Sequence, residues 1–246
     1  MEKVNYIFLV LALFAEIVGT VGGFGSSVFF VPIGNFYFDF HSVLGLTAIF
    51  HISSNLSKIV LFKKGIDLGL ILKIGLPSIA FVIVGGLLSA LLDTGLLEII
   101  LALFLVGLSL LFLFKGDLVI APTSKNAVTG GILSGFSAGL LGTGGAIRGL
   151  TMAVFNLEKS VFIATSAFID FMIDLTRTFV YYQNGFIHRH DFIYVPFLLL
   201  IGVAGTFIGK KILSRIPQDR FKKISLLLIL TIGIATFVNV LLNSNN

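Results

Sequence analysis

The sequence predicts an all-α membrane protein of about eight transmembrane helices, built as two four-helix repeats with the first helix of each repeat broken at a glycine-rich segment. Three observations carry that prediction. The chain is 57% hydrophobic and only 12% charged, with a mean hydropathy of +1.06. A water-soluble domain carries about 25% charged residues, and half that proportion cannot cover a wet surface of this size. The apolar runs are continuous rather than alternating, which argues against a β-barrel. Second, residues 23–58 and 142–177 are two copies of one pattern, 119 positions apart. Gly23, Gly25, His51, Asn55 and Lys58 match Gly142, Gly144, Asp170, Asp174 and Arg177, and Pro77 and Gly86 match Pro196 and Gly205. Third, in each copy a glycine-rich break interrupts an apolar stretch, and a polar triplet at i, i+4, i+7 follows.

The first apolar stretch, 5–33, is too long for one ordinary span. As a continuous helix it would run about 45 Å, past a hydrocarbon core of about 30 Å. Glycines at 23 and 25 place the break. Such backbone must be buried in protein or line a wet cavity. Met1–Phe14 has the look of a signal peptide but no convincing cleavage site, so it is expected to stay as the first helix. Ala15, Gly19 and Gly23 match Ser134, Ala138 and Gly142, and Gly131, Gly135 and Gly139 add a further small-residue stripe, which reads first as helix packing. The spans 42–62, 68–92 and 95–115 follow. Lys115–Lys125, with Gly116, Asp117 and Pro122, is a hydrophilic joint. The first repeat is therefore 1–116, the connection 117–125 and the second repeat 126–246. The second repeat holds spans 126–156 (broken at Gly142–Gly145), 160–183, 191–213 and 221–242. If every span crosses, four per half put both halves in the same orientation, about an axis along the membrane normal. Lys3, Lys63, Lys64, Lys115, Lys125 and Arg189 then share one face, and Lys159, Lys210, Lys211, Arg215, Arg220, Lys222 and Lys223 the other. Six against seven decides no orientation.

Ionisable residues at mid-membrane depth are costly and face the protein interior, so they are functional candidates by default. Here they are Glu16, His51, Lys58, Arg148, Asp170, Asp174 and Arg177. With Asn55, all but Arg148 form a candidate coupling or charge network. Asp170, Asp174 and Arg177 share one helical face, and Asp174 can pair with Arg177 at i, i+3. Asp170 then pairs with Arg148 or Lys58, or takes a proton. A buried ion-pair network that sets helix register is the competing reading. His51 can change charge near neutral pH, or it is a satisfied core histidine. Glu16 is a proton or cation site, or the partner of Lys58. Arg148 stands four residues after Gly144, beside N–H groups freed at the break. Arginine with a half-helix N-terminus makes an anion site; the rival is a structural pair with Asp170 or Asp174. Gly23, Gly25, Ser26, Ser27, Thr143, Gly144, Gly145 and Arg148 are the expected substrate-binding residues.

There is no cysteine, so disulfides, thiolate nucleophiles and Cys metal sites are excluded. His188 and His190 lie in a charged loop without helical metal-pair spacing. No Walker loop, HExxH or GxSxG occurs, and the glycine runs follow no strand. No enzyme activity, metal, cofactor or nucleic-acid partner is expected. The net charge of +5 fits loops facing anionic headgroups.

At the glycine runs the chain resembles the sulfite exporter TauE/SafE family of membrane permeases. Gly23-Phe24-Gly25-Ser26-Ser27 running to Val31-Pro32 is similar to that family's glycine-rich segment, and Gly131–Gly135 with Gly142-Thr143-Gly144-Gly145 to its second copy. Leu46-Thr47-Ala48 and Ala164-Thr165-Ser166, then Gly65–Asp67 and Gly185–His188, resemble the stretches that follow. Ser26 and Ser27 replace glycines, Arg148 adds a charge, and Thr151 stands where proline is expected. The resemblance implies eight transmembrane helices and movement of a small anion such as sulfite or an organosulfonate.

The residues and the resemblance together lead to a multi-pass cell-membrane secondary transporter for a small oxyanion, energised by an ion or substrate gradient. Protons are a candidate coupling ion, and one half rocking on the other is the expected motion. A passive anion channel is the alternative. Oligomeric state is left open.

Overall fold

The computed structural model describes residues 4–22, 25–62, 65–114, 121–213 and 218–243. Gly23 and residues 117–120 of the expected connection lie outside them. Among the described residues 85% are helical and none is in a strand. Helix α1 (Tyr6–Gly22) is opened by the Asn5 side chain, which accepts from the Ile7 and Phe8 N–H groups at 3.1 and 3.2 Å. A short helix α2 (Ser27–Gly34) follows the first break. Helix α3 (Phe40–Leu61) is capped by Asp39, which accepts from Ser42 N–H at 3.0 Å. Burial works against the Asp39 carboxylate, but the Ser42 hydrogen bonds and nearby His188 and His41 prevail and lower its pKa. Helix α4 (Leu68–Leu91) starts at the Asp67 cap and is widened at Ile71–Gly75, just before Pro77, which cannot donate to the preceding turn. Helix α5 is Thr94–Phe114.

The second half repeats this order. Helix α6 (Ser124–Leu141) is capped by Thr123 and stopped by Gly142, whose φ of 73° suits glycine. Helices α7 (Gly145–Ala153), α8 (Lys159–Gln183), α9 (Val195–Leu213) and α10 (Gln218–Asn243) follow, with a 3₁₀ turn at Arg189–Ile193. By length and apolarity, Phe40–Leu61, Leu68–Leu91, Thr94–Phe114 and Val195–Ile212 can each cross a membrane.

The stretches 5–33 and 126–156 do not run through as single interrupted rods. Each goes out and comes back. The Phe8 ring packs on Phe30, Tyr37 and Phe38 at centroid distances of 5.6, 5.6 and 4.8 Å, so α2 ends beside the start of α1. Gly130 near the start of α6 lies against Thr151 near the end of α7. Each half therefore makes an odd net number of runs along the bundle, and the condition for like-oriented halves, that every span runs from end to end, is not met. The contacts between α3 and α8 run antiparallel: Ser42 meets His188, Asn55 meets Asp174, and Asp67 beyond α3 meets Thr165.

This topology regroups the basic residues. Lys125, Lys159, Lys210 and Lys211 sit at one end of the bundle, with the opening turns of α10 that carry Arg220, Lys222 and Lys223. We call this the second end. Arg189 sits at the first end, with the start of α1, the 35–39 turn and Asp93.

The two halves also interlock. Gly131, Gly135 and Gly139 of α6 rest directly on the backbone of Ile74, Ser78 and Val82 in α4. Gly205 and Gly209 of α9 rest on Glu16 and Thr20 of α1. So the first long helix of each half packs on the third long helix of the other. Helices α4, α6, α7 and α8 share a small core (Leu70, Ile74, Val82, Ala127, Met152 and Ile173), separate from the larger core that Phe8, Phe30, Phe50 and Leu105 occupy.

Candidate functional site

The two breaks meet. A Cβ added at Gly25 (φ 81°) would lie 3.8 Å from the Gly145 Cα, and Ser27 Oγ donates to Thr143 Oγ1 at 3.2 Å. Gly19 and Gly144 have no room for a side chain: their Cβ atoms would strike the backbone of Ser26 and Ser134. α2 and α7 therefore point their N-termini toward one region from opposite ends of the bundle. The first N–H groups of a helix lack intrahelical partners and carry partial positive charge.

A small cavity, with about 20 Å³ of space for the centre of a water molecule, lies there. Of the residues singled out from sequence, Gly25, Ser26, Ser27, His51, Asn55, Lys58, Gly144, Gly145, Asp170, Asp174 and Arg177 line it. Arg148 lines a neighbouring cavity of about 50 Å³ on the same measure, which shares Gly25, Asn55, Lys58 and Asp170 with the first and leads toward the second end past Phe62 and Phe162. Thr143 is buried beside the break, and Glu16 is buried behind Ser26. Gly23 lies outside the described residues.

The charges are paired. Lys58 Nζ is 3.0 Å from Glu16 Oε1, Arg177 is 2.8 Å from Asp174 Oδ1, and Arg148 holds both Asp170 oxygens while donating from Nε to Ser166 Oγ at 3.0 Å. Three cations thus meet three carboxylates, so the fixed side-chain charge of the cavity is balanced. Arg148 takes the structural pairing weighed against its anion role. Arg177 is different. Its NH1 donates to Gly142 O at 2.8 Å, while its Nε is buried with no hydrogen-bond partner. A buried guanidinium N–H without a partner is costly.

The hydrogen bonds fix the His51 tautomer. Arginine has donors only, and Arg177 NH2 stands 3.3 Å from His51 Nδ1, so Nδ1 accepts. The proton is then on Nε2, 2.9 Å from Ser26 Oγ, which in turn donates to Glu16. A continuous line runs from Arg177 through His51 and Ser26 to Glu16. Sequence reasoning missed the rest of the Glu16 cradle. Thr20, Ser54 and Thr206 hydroxyls also donate to it. Ser54 was legible, since it sits between His51 and Lys58 on the polar face of α3. Thr206 was not, because α9 reaches α1 only through the interlock. Tyr181 also escaped notice, while Ala138 and Gly142 were read as a packing residue and a break residue rather than as acceptors for α8 side chains.

Away from this region, Asp39, His188 and His190 bring ligand-capable atoms within 4.8 Å of one another at the surface of the first end. Asp191 and Ser42 tie that loop to α3.

The sequence profile described as "Sulfite exporter TauE/SafE" matches residues 8–236 of the chain. No curated protein and no solved structure matches it significantly.

Proposed function

The chain belongs to the sulfite exporter TauE/SafE family, a family of membrane transporters for sulfite or related anions, and from that premise we propose that it is a multi-pass cell-membrane carrier for a small oxyanion, sulfite or an organosulfonate. In this reading residues 1–116 and 126–246 are two inverted repeats joined by 117–125, each with four long helices and one returning half-helix. The meeting of the two half-helix N-termini at one cavity carries the reading. Paired broken helices in matching halves, with N-termini aimed inward, are the usual build of an anion site at the bilayer midplane. Backbone N–H groups at Ser27, Gly145 and neighbouring positions, with the Thr143 hydroxyl, hold the anion, and the Ser26 and Ser27 hydroxyls join them on turning their single protons away from Glu16 and Thr143. Arg177 supplies the guanidinium through its unpartnered Nε, and Arg148 with Asp170 braces the wall. The His51–Ser26–Glu16 line is the route for a coupling proton.

Balanced side-chain charge gives a further reason for this division. A cavity with a net positive charge would hold its anion too tightly to release it. Two helix termini attract one negative charge without stranding a buried cation when the site is empty. In this reading the second end, where the described basic residues gather, faces the cytoplasm, so the cavity opens inward and receives solute for export. A channel needs a continuous polar path, and the packed first-end side favours a carrier. The moving bodies are α1, α2, α3 and α9 against α4, α6, α7 and α8, rather than one sequence half against the other, because each half lends a long helix to its partner.

Thermal-shift binding of sulfite, sulfate and sulfoacetate to purified protein tests the site. Stabilisation by at least one is expected, with Arg177→Gln weakening it about tenfold or more, as loss of a charge-assisted hydrogen bond does. No shift with any of the three would remove the anion reading.

A further inference from the structure

The cavity reaches toward the second end but not toward the first. Along its open side stand Thr20, Lys58, Phe62, Phe162 and Ile163, all partly exposed. The residues 119 positions away are Gly139, Arg177, Tyr181, Val43 and Leu44. These five would line an equivalent path to the first end, and all of them are buried, with Tyr181, Val43 and Leu44 at 0% exposure.

Specific bonds hold that side shut. The Tyr181 hydroxyl lies 3.0 and 2.7 Å from the carbonyl oxygens of Ala138 and Gly139, shared between them, and Arg177 donates to Gly142 O. Ala138 and Gly139 belong to the last turn of α6, where carbonyls lack intrahelical partners. Two side chains of α8 therefore cap the C-terminal end of α6. The matching side chains on the open side cannot do this. Phe62 has no hydroxyl, and Lys58 is held by Glu16 and Ser54.

We propose that Tyr181 and Arg177 form the gate that closes the site from the first end, and that its release opens the equivalent path while the Phe62 side closes. The proposal rests on the carrier reading. It goes beyond that reading by assigning the latch to one hydroxyl and one guanidinium, and by tracing the resting bias to tyrosine at 181 against phenylalanine at 62.

The chain has no cysteine, so single cysteines report access directly. Ser166 lines the open path, and its match, Thr47, is buried at 0% exposure. Ser166→Cys and Thr47→Cys proteins in sided vesicles, with no solute present, are treated with a membrane-impermeant thiol reagent. Ser166→Cys is expected to react from the second end and Thr47→Cys to react slowly from either side. Adding Tyr181→Phe, which keeps the ring, should raise the Thr47→Cys rate from the first end by up to about tenfold, the effect of losing one net hydrogen bond. Adding Phe62→Tyr should lower the Ser166→Cys rate, because it supplies the missing hydroxyl. Equal rates at the two cysteines in the parent protein, or rates unmoved by both aromatic exchanges, would overturn the gate. Since no anion is used, these results stand apart from the binding test, and either assignment can fall alone.

Discussion

Single residues decide how an apolar protein tolerates seven ionisable groups in its interior. Glu16 is fully buried, yet four hydroxyls and Lys58 surround it. Removing one partner of a buried pair leaves an uncompensated charge and costs about 3–5 kcal/mol, whereas replacing both is far milder. Lys58→Met alone should therefore lower the melting temperature of the purified protein sharply, and Glu16→Gln with Lys58→Met should recover most of the loss. A double variant no more stable than the single one would mean that Lys58 is not the charge partner of Glu16. At this scale the sequence was informative about which residues matter and poor at pairing them. Residues 16 and 58 are 42 apart, and 148 and 170 are 22 apart. No periodicity within one helix links them. Arg148 and Arg177 both stood out as buried arginines, but only the fold shows that Arg148 spends its donors on Asp170 and Ser166 while Arg177 keeps one free.

At the scale of the element, glycine does two separate jobs. Gly25 and Gly142 adopt positive φ values of 81° and 73° and turn the chain back on itself. The α6 glycines instead let two backbones touch. A Cβ at Gly135 would strike the carbonyl of Ser78, while one at Gly107 in α5 would meet nothing within 4 Å. Gly135→Val should destabilise the protein by about 1–3 kcal/mol, the usual cost of overpacking, and Gly107→Ala should leave melting almost unchanged. Equal effects would mean that α4 and α6 are not in backbone contact. The stripe was visible in sequence, but its partner helix was not. The stripe pattern is the same whichever helix it meets.

For the whole molecule, the direction of the broken helices sets everything else. One half-helix that returns instead of crossing inverts the second half against the first. Among the described residues it also brings Lys125 to the end that holds Lys159, Lys210 and Lys211, and leaves Arg189 at the other. A cytoplasmic second end predicts that Lys125→Cys reacts with an impermeant thiol reagent only after cells are opened, and that Arg189→Cys reacts in intact cells. The reverse pattern would turn the open side of the cavity outward. The sequence by itself determined the helical, membrane-embedded class and the family, and it carries the 119-residue pattern and the two glycine runs, because composition and motif spacing are properties of short stretches. Only the tertiary structure decided that the breaks are hairpins, that the halves interlock, and which carboxylate each cation meets. Those outcomes depend on contacts between segments far apart in the chain, where a return and a crossing have the same local chemistry and differ only in what packs against them.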